Sequence, residues 1–338
     1  MPQREIDIRA KWPYTVGPLM DNFWLKLPKP IAVLAPMEDV TDTVFRRLIG
    51  SCGRPDVFFT EFTSTDGMFS PGRDAVIKRL EFTQEERPLV AQIWGNNPEL
   101  YFKAGKDIAE MGFDGLDINM GCPVAKIIKQ GHCSGLIQNK PLAKELVLAA
   151  MEGAGKVPVS VKTRIGYREI ETEEWAGFLL ELNPAALTIH GRTAKQLSKV
   201  PANWDEIGKV AALRKSMGSK TVIIGNGDVQ SREEIELKHQ QHGVDGVMVG
   251  RGIFHNPFLF AKSGTTHISQ LSFEQKLQML LSHTKSYTDR WGVRHFGVMK
   301  KFFKIYIRDF HGATELREKL MHTNSYEEVE SILNELRN

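Results

Sequence analysis

Short apolar segments recur along the chain between residues 31 and 260, and each is followed by a turn and then by a segment with helical periodicity. Most of the apolar segments show no alternation with polar residues, which is typical of parallel strands covered on both faces. The pattern therefore predicts eight strands: Ile31–Ala35, Val57–Glu61, Leu89–Ile93, Gly115–Asn119, Val157–Lys162, Ala186–His190, Thr221–Gly225 and Gly246–Gly250.

The segments between the strands carry signals for helix starts. Asn97-Pro98-Glu99 supplies an N-cap, a first-turn proline and an acid. One helical face behind this start is apolar: Leu100, Ala104, Ile108 and Met111. Ser231 and Glu234 are spaced as a capping box. Pro141 and Thr172 are predicted to begin two further helices.

Eight strands alternating with helices over about 230 residues predict an α/β fold of the (β/α)8, or TIM, barrel type. An open doubly wound sheet is the alternative, although it seldom needs eight strands. We expect a proline-rich N-terminal extension on the surface (residues 1–30), the barrel (residues 31–260) and a small C-terminal helical domain (residues 261–338). Ser263–Thr266 is typical of a linker. Two later stretches have helical periodicity: Glu274–Leu281 and Tyr326–Leu336.

Composition and charge exclude several classes of protein without identifying a partner. The 338 residues include 44 Lys+Arg and 41 Asp+Glu, a net charge of +3, and 41% are hydrophobic. These values exclude a disordered, collagen-like or coiled-coil chain. Cys52, Cys122 and Cys133 form no CxxC pair, so we expect neither a disulfide framework nor a metal site. Without a signal-peptide pattern or an apolar run near the ~18 residues that span a bilayer, we expect a cytoplasmic protein with no membrane attachment.

Polar residues stand at or just after the predicted strand ends, which meet at one rim of a barrel and form its active site. Any one of them alone is more often a hydrogen-bonded structural residue. A structural barrel has no need for lysine, histidine, glutamine and asparagine at equivalent depths, so their convergence favours a site. These residues are Pro36, Met37, Glu61, Gln92, Asn119, Lys162, His190, Asn226, Gly227, Asp228, Gly250, Arg251 and Gly252.

Two features of this rim favour an anionic, phosphorylated ligand. Gly225–Asp228 and Gly250–Gly252 follow strands seven and eight, the usual phosphate site of the fold, although either loop alone is more simply a tight turn. Arg251 would add a charged contact. Lys162 is predicted to place a charge in the barrel mouth, which is costly unless an anion meets it. A reduced flavin is such an anion, and a carboxylate such as Glu61 is the structural alternative.

A third feature is the segment after the fourth strand. Asn119–Pro123 opens a loop with three glycines that continues to Gln138, which is typical of a lid that closes over a substrate. A lone cysteine is usually an inert hydrophobe, but Cys122 lies just past a strand end, where a thiol acts as an acid or a nucleophile. Cys133 is the competing thiol, and Cys52 is predicted to be structural at a helix terminus.

Several stretches match one known family in a fixed order: Leu34–Met37, Val40–Asp42, Phe45-Arg46, Gln92–Gly95, Val161–Arg164, Thr188–Thr193, Gly225–Asp228 and Gly250–Gly252. With Asp117–Pro123 and Lys126, the strongest match, they make the chain resemble the tRNA-dihydrouridine synthases. The resemblance covers the whole barrel and extends more weakly to Lys300-Lys301 and Leu316-Arg317. It is specific, because other flavin barrels share a phosphate loop or the lysine but not the whole ordered series.

The resemblance implies FMN-dependent, NADPH-driven reduction of the C5=C6 bond of specific tRNA uridines to 5,6-dihydrouridine. Hydride would pass from flavin N5 to C6, and Cys122 would give the proton to C5 from the opposite face of the ring. A thiol with an ordinary pKa of about 8.5 remains protonated at neutral pH, as an acid should be. Asn119, Arg164 and Arg192 would face the uridine, with His190 as a further candidate. The residues implied to contact FMN are Ala35, Pro36, Met37, Gln92, Lys162, His190, Asn226, Gly227, Asp228, Gly250 and Arg251.

The chain departs from the family pattern at two places. Glu38-Asp39 stands where the family usually has Ala-Gly, and a carboxylate near an anionic flavin is unfavourable unless it turns away or meets a base. His132-Cys133 follows Gly131, where the family favours small residues. That leaves open whether His132 touches the RNA backbone and whether Cys133 replaces Cys122.

A basic segment of the helical domain is expected to hold the RNA. Seven bases lie between Lys285 and Arg308, and Lys300, Lys301 and Lys304 are predicted to contact tRNA phosphates. The interleaved aromatic residues are expected to fill the domain's own core. We expect a monomer. An FMN barrel acting on a free metabolite, such as a dihydroorotate dehydrogenase or an ene-reductase, is the alternative, and an RNA-binding protein with a vestigial flavin site is a third hypothesis.

Overall fold

Eight parallel strands form a closed barrel in the computed structural model, which describes residues 22–262 and 267–336. They are β1 (Ile31–Leu34), β2 (Phe58–Ser64), β3 (Leu89–Trp94), β4 (Gly115–Asn119), β5 (Val159–Arg164), β6 (Ala186–His190), β7 (Val222–Asn226) and β8 (Gly246–Val249). The strands pair in the order β1-β8-β7-β6-β5-β4-β3-β2. The N–H of Leu34 donates to the Val57 carbonyl oxygen at 3.0 Å and joins β1 to the start of β2. The predicted TIM barrel is confirmed, and β2 runs past its predicted end at Glu61.

Helices follow the strands around the outside of the barrel. They are α1 (Thr43–Cys52), α2 (Thr65–Met68), α3 (Arg73–Ile77), α4 (Pro98–Glu110), α5 (Ala125–Lys129), α6 (Lys140–Ala154), α7 (Thr172–Glu181), α8 (Trp204–Ser216) and α9 (Arg232–His242). Asn97 caps α4 as predicted, and Cys52 ends α1. Ser231 Oγ accepts the Glu234 N–H at 3.2 Å, but the Glu234 carboxylate accepts the N–H of Gln230. The predicted capping box is therefore only half formed, because Glu234 accepts the N–H of Gln230 and not that of the N-cap residue Ser231.

Trp24 fills the barrel interior at the end where the strands begin. Its side chain is 1% exposed, and the neighbouring Asn22 donates to the Ala185 carbonyl oxygen, next to the start of β6, at 3.3 Å. The surface position expected for residues 1–30 is wrong for Trp24, because its large ring covers apolar side chains of the barrel floor. Residues 1–21 lie outside the described part. The apolar residues clustered with Trp24 include Ile31, Val33, Phe59, Val90, Ala186, Val222, Ile224 and Met248.

The described chain beyond the barrel is helical. It forms α10 (Phe273–Trp291), a 3-10 segment (Val293–Phe302), α11 (Phe303–Tyr306), α12 (Ala313–Met321) and α13 (Tyr326–Glu335), so both predicted helical stretches are confirmed. The rings of Phe302 and Phe45 lie 5.0 Å apart, and the helices share one apolar core with the barrel. The predicted linker Ser263–Thr266 lies outside the described residues, and the domain boundary at residue 260 stays a prediction. Within the described ranges, no helix is long and apolar enough to cross a membrane, and no group of His, Cys, Asp or Glu is arranged to hold a metal ion.

Candidate active site

The carboxyl ends of the strands surround a cavity of about 690 Å³, a size typical of cofactor and ligand sites. Most of the residues predicted for the site line it together. They are Ala35, Pro36, Met37, Lys162, Arg164, His190, Arg192, Asn226, Gly227, Asp228, Gly250 and Arg251. Pro123, at the end of the predicted lid segment Asn119–Pro123, lines the same cavity. Sequence reasoning missed Ser198, Gln230 and His255, which line the cavity from loops where no periodic pattern marks them.

Gln92 and Asn119 lie in a buried hydrogen-bond chain that is not part of the cavity lining. Asn119 Nδ2 donates to Gln92 Oε1 at 3.0 Å, and Gln92 Nε2 donates to Asp117 Oδ2 at 2.7 Å. Ser160 Oγ donates to the other oxygen of Asp117 at 2.6 Å. Burial raises the pKa of Asp117 to about 6 despite these donors and the nearby charge of Lys162. Sequence reasoning missed Asp117 and Ser160 as members of the site, although a carboxylate inside an apolar strand is itself a signal.

Lys162 is half-buried at the barrel mouth, and its Nζ lies 3.3 Å from Asn226 Oδ1. No carboxylate in residues 22–262 or 267–336 forms an ion pair with it, and the alternative partner Glu61 instead accepts the N–H of Asp39 at 2.6 Å. Burial, and then the charge of Arg164, lowers the pKa of Lys162 to about 8. An ammonium group that lacks an anionic partner at the mouth suits an anionic ligand.

His190 is held neutral beside this lysine. Burial, followed by the charges of Lys162, Arg164, Arg192 and Arg251, lowers its pKa far below the ordinary value. Arg192 Nη1 lies 3.1 Å from His190 Nε2, and because a guanidinium only donates, His190 Nε2 accepts and Nδ1 carries the proton. Neutral His190 can therefore offer a ligand one N–H donor without adding charge.

Arg192 is tied to the loop after β7. Its guanidinium donates to Asp228 Oδ2 at 2.5 Å and to the Val200 carbonyl oxygen at 2.6 Å. Asp228 also accepts the N–H of Ala202 at 2.8 Å. Arg192, which is predicted to contact the uridine, is only 3% exposed and is already anchored on two sides.

The glycines of the two loops have different roles. A Cβ at Gly227 would lie 2.5 Å from Ala202 Cβ, and one at Gly252 would lie 2.1 Å from the Val229 carbonyl oxygen. Packing alone therefore requires glycine at both positions, which agrees with the interpretation of these loops as tight turns. A Cβ at Gly250 would meet nothing closer than 3.8 Å, so packing does not require glycine there, and the open space lets a ligand approach the backbone.

The loop that carries Cys122 is fixed by two of the predicted uridine-binding residues. Asn119 Oδ1 accepts the N–H groups of Gly121 at 3.0 Å and of Cys122 at 2.9 Å. Arg164 Nε donates to the Gly121 carbonyl oxygen at 2.6 Å, and its Nη1 donates to the Thr193 carbonyl oxygen at 3.1 Å. Asn119 and Arg164 therefore position Cys122, and Arg164 also lines the cavity.

The two thiols of this loop meet, which spacing along the chain does not indicate. Cys122 is half-buried and Cys133 is 1% exposed. A side-chain hydrogen bond from Cys133 lowers the pKa of Cys122 to about 6, although burial of Cys122 opposes the shift. The same contact, together with burial, raises the pKa of Cys133 well above its ordinary value. Cys122 thus differs from the ordinary thiol expected from the sequence.

The unusual carboxylates Glu38 and Asp39 are both matched by bases. Glu38 forms an ion pair with Arg79. Lys301 donates to the Asp39 carbonyl oxygen at 3.1 Å, and its Nζ lies 3.7 Å from the Asp39 carboxylate. Neither carboxylate lines the main cavity. The sequence requires a carboxylate in this loop to turn away from the flavin site or to meet a base. Both carboxylates meet a base and neither lines the main cavity, so the loop satisfies that requirement.

The bases predicted to contact RNA are engaged to different degrees. The ammonium group of Lys301 donates one hydrogen bond to the Asp39 carbonyl oxygen. In the part of the chain that the structure describes, the side chains of Lys300 and Lys304 form no hydrogen bond or ion pair; Lys304 is exposed and Lys300 half-buried. Aromatic residues beside them fill the core as expected: Phe302, Phe303 and Tyr306. Lys300 and Lys304 are thus the members of the predicted set with free charge.

The residues around the main cavity fit FMN. Lys162, Arg164, Arg192 and Arg251 make the cavity cationic against the single lining carboxylate of Asp228, which suits a phosphorylated ligand. A flat ring system needs apolar walls, and the lining supplies them from two strand ends: Ala35, Pro36, Met37 and Met248. The uncompensated Lys162 and the open space at Gly250 are consistent with the same group.

Comparison with solved structures gives matches of low sequence identity. Histamine dehydrogenase from Rhizobium sp. 4-9 matches with a TM-score of 0.50 at 10% identity, over 75% of this chain and 48% of that one. Morphinone reductase in complex with tetrahydroNAD matches with a TM-score of 0.48 at 14% identity, over 68% of this chain and 85% of that one. At such identities the likeness concerns the fold alone.

Sequence comparison is more specific. The profile of the family described as Dihydrouridine synthase (Dus) matches residues 33–337. A probable tRNA-dihydrouridine synthase of Staphylococcus aureus (strain COL) is 45% identical over 322 residues, which cover 94% of this chain and 96% of that protein. A probable tRNA-dihydrouridine synthase 2 of Bacillus subtilis (strain 168) is 46% identical over 321 residues, which cover 94% and 97%. The chain therefore belongs to the dihydrouridine synthase family.

Proposed function

We propose that this protein reduces the C5=C6 bond of specific uridines in tRNA to 5,6-dihydrouridine, with FMN as cofactor and NADPH as reductant. The observation that carries the proposal is the cationic cavity at the barrel mouth with a cysteine loop beside it. The name of the S. aureus relative, which is similar over most of both chains, supports tRNA as the substrate.

Bound FMN would supply the hydride donor of the reaction. Lys162 would stabilise the negative charge of the reduced cofactor, since its ammonium group lacks a carboxylate partner among the described residues. The loops Gly225–Asp228 and Gly250–Gly252 would hold the phosphate, with Arg251 as the exposed charged contact at their edge. Gln92 acts from outside the lining, through Asn119 and Asp117.

Cys122 would give the proton that the uracil ring needs. When hydride reaches C6, negative charge develops at C5 and at O4, and an acid opposite the hydride donor quenches it at C5. Asn119 and Arg164 hold the backbone on either side of Cys122. Neutral His190 can donate a hydrogen bond from its Nδ1–H to a carbonyl oxygen of the uracil ring without adding a positive charge to the cavity.

The RNA would be held beside the mouth by the free bases of the helical region. The target base lies within folded RNA and has to be extruded to reach the cavity. Lys300 and Lys304 offer sequence-independent contacts to phosphates. Lys301 links the same segment to the loop after β1, so the RNA-binding bases and the cavity are held in a fixed relation.

Substrate discrimination tests the proposal. The protein, reconstituted with FMN, would be given NADPH and either unmodified tRNA, free uridine or dihydroorotate with an electron acceptor. We expect dihydrouridine in the tRNA by mass spectrometry and negligible turnover of the free compounds. Turnover of a free compound without reduction of tRNA would favour the metabolite enzyme. Binding of tRNA without FMN uptake would favour the vestigial-site hypothesis.

A further inference from the structure

A second cavity lies where the barrel packs against the end of α10, and it shares no lining residue with the main cavity. Its volume is about 250 Å³, just below the usual range of ligand sites, so it suits a small molecule. The barrel lines it from the loop after β1, from β2 and from the segment around α3. The helical region lines it from α10 and from the 3-10 segment that follows. A molecule bound here would therefore contact both parts of the chain.

Two side chains that line this second cavity are deeply buried and leave a polar atom without a partner. Glu61 is 6% exposed; its Oε1 accepts the Asp39 N–H at 2.6 Å, and its Oε2 has no hydrogen bond within residues 22–262 and 267–336. Tyr287 is 4% exposed, and its hydroxyl has no hydrogen bond in the same ranges. Buried polar groups are nearly always hydrogen-bonded. A carboxylate oxygen and a hydroxyl oxygen are therefore open to a ligand in this cavity.

The buried side of the second cavity is acidic. Asp42 is 7% exposed and lines the cavity together with Glu61. Asp42 Oδ1 accepts the Phe45 N–H at 2.8 Å, and its Oδ2 accepts the Trp291 indole N–H at 3.1 Å. Both donors are neutral, so these hydrogen bonds orient the carboxylate without neutralising its charge. Neither Asp42 nor Glu61 forms an ion pair in the part of the chain that the structure describes.

The Lys and Arg side chains that line the second cavity are paired with other carboxylates or exposed. Arg79 forms an ion pair with Glu38, and Arg290 forms one with Glu81. Lys78 is exposed. Two buried carboxylates thus face a small cavity whose guanidinium groups already have anionic partners. Because a buried charge is costly unless it is paired, this distribution favours a cationic ligand.

We propose that the second cavity is a binding site for a small aliphatic amine, whose ammonium group donates hydrogen bonds to Glu61 Oε2 and to the Tyr287 hydroxyl oxygen. An ammonium group has three donors and no acceptor, which matches two unpartnered oxygens beside a further carboxylate. A metal ion is a poorer match, because no His, Cys, Asp or Glu group in residues 22–262 and 267–336 is arranged to hold one. The site is independent of the proposed function, since its residues take no part in that reaction.

Isothermal titration of the purified full chain with 1,4-diaminobutane tests the proposal, with 1,4-butanediol as the neutral probe of similar length. We expect saturable binding of one diamine per chain and no binding of the diol. Glu61→Gln still accepts the Asp39 N–H but loses the charge, so it should weaken diamine binding at least about tenfold. Tyr287→Phe keeps the ring and loses one hydrogen bond, which should weaken binding at least about twofold. Glu110→Gln, the same change on an exposed side chain of α4, is the matched control and should bind like the native protein.

The pH dependence of diamine binding gives a second readout. Burial, and then the charge of Asp42, raises the pKa of Glu61 to about 7, although Arg79 and the Asp39 N–H oppose the shift. Because the amine selects the ionised carboxylate, its affinity should rise from about pH 6 to about pH 8 in the native protein and stay constant in Glu61→Gln. The other charged and titratable groups around the cavity are common to both proteins: Glu38, Asp39, Asp42, Lys78, Arg79, Glu81, Tyr287, Arg290 and His295.

Three results would overturn the amine site. The first is the absence of saturable diamine binding to the native protein, and the second is equal affinity in the native protein and Glu61→Gln. The third is displacement of the diamine by an equal concentration of Mg²⁺, which would assign the cavity to a metal ion. Should Glu61→Gln not fold, Tyr287→Phe decides, and an affinity equal to that of the native protein counts against the proposal.

Discussion

Lys162 Nζ lies 3.3 Å from Asn226 Oδ1, a contact that reaches from β5 to the end of β7 at the barrel mouth. Asn226 is held in turn, since its Nδ2 donates to the Met248 carbonyl oxygen on β8 at 2.8 Å. A neutral amide thus orients the ammonium group, which forms no ion pair with a carboxylate among residues 22–262 and 267–336. The ammonium group of Lys162 is therefore available to bind an anion at the barrel mouth.

Lys162→Met should change how the stability of the cofactor-free protein depends on pH. Burial lowers the pKa of Lys162 to about 8, whereas the unfolded chain has a value of about 10.4. Between these values the unfolded state binds more protons at this lysine, so the contribution of Lys162 to the free energy of unfolding should rise as pH increases from about 8 to about 10.4. The difference in the free energy of unfolding between the native protein and Lys162→Met should therefore change across that range in favour of the native protein, because the other titrating groups are common to both. Denaturant titrations of both proteins across the range measure this difference.

The exposed Lys156 provides the control for this prediction. Lys156→Met removes the same charge from the surface, and its free energy of unfolding should differ from that of the native protein by a constant amount across the same pH range. Parallel pH curves for the native protein and Lys162→Met would contradict a buried ammonium group without an ion-pair partner at the barrel mouth.

Trp24→Ala tests whether the segment before β1 is part of the barrel core. The side chain of Trp24 is 1% exposed, while that of its neighbour Leu25 is 55% exposed. We expect Trp24→Ala to lower the free energy of unfolding by about 3–5 kcal/mol, because the variant removes a buried ring and leaves a cavity. Leu25→Ala, which shortens a side chain that is mostly in solvent, should stay within about 0.5 kcal/mol. Equal decreases in the free energy of unfolding for the two variants in denaturant titrations would indicate that this segment lies on the surface.

Asn119→Ala should disturb the Cys122 loop more than the barrel mouth. The variant removes the acceptor of the Gly121 and Cys122 N–H groups and the donor to Gln92. We expect the free energy of unfolding to fall by about 1–3 kcal/mol, the usual cost of unpaired buried polar groups. tRNA reduction should fall more than FMN reduction by NADPH. Asn119→Asp, which still accepts both N–H groups, should recover part of the stability, and equal decreases in the two half-reactions would count against a loop role.

Lys300→Ala combined with Lys304→Ala should weaken tRNA binding. For each phosphate that the double variant no longer binds, the slope of log K against log salt should flatten by about 0.9. Filter binding at several salt concentrations measures both effects. Lys285→Ala is the control, since that exposed lysine already pairs with Asp289 at 3.1 Å. A double variant that binds like Lys285→Ala would place the RNA surface elsewhere.

The structural features that the sequence predicts correctly are those that depend on residues close together along the chain. The apolar segments predict all eight strands, and parallel strands have to bring their ends together, so the sequence alone places Lys162, His190 and Asn226 at one rim. The cap at Asn97 and the helix at Thr172 follow from local hydrogen bonding in the same way.

What the sequence left out depends on interactions between distant segments. The ion pair of Glu38 with Arg79 and the contact of Asp39 with Lys301 join residues that no periodicity relates. The predicted surface position of residues 1–30 rests on their prolines, which carry no signal for the burial of Trp24. The meeting of Cys122 with Cys133 requires a loop that folds back and a left-handed backbone at Cys133, which residue type alone does not indicate.

Cys122→Ala and Cys52→Ala should differ sharply in the dihydrouridine content of tRNA after incubation with FMN-loaded protein and NADPH. We expect both variants to keep FMN and its reduction by NADPH, and we expect Cys52→Ala to form dihydrouridine like the native protein. Cys122→Ala should form at least about 100-fold less, which is the usual contribution of a general acid. Native levels of dihydrouridine with Cys122→Ala, or none with the native protein, would contradict the proposed reaction.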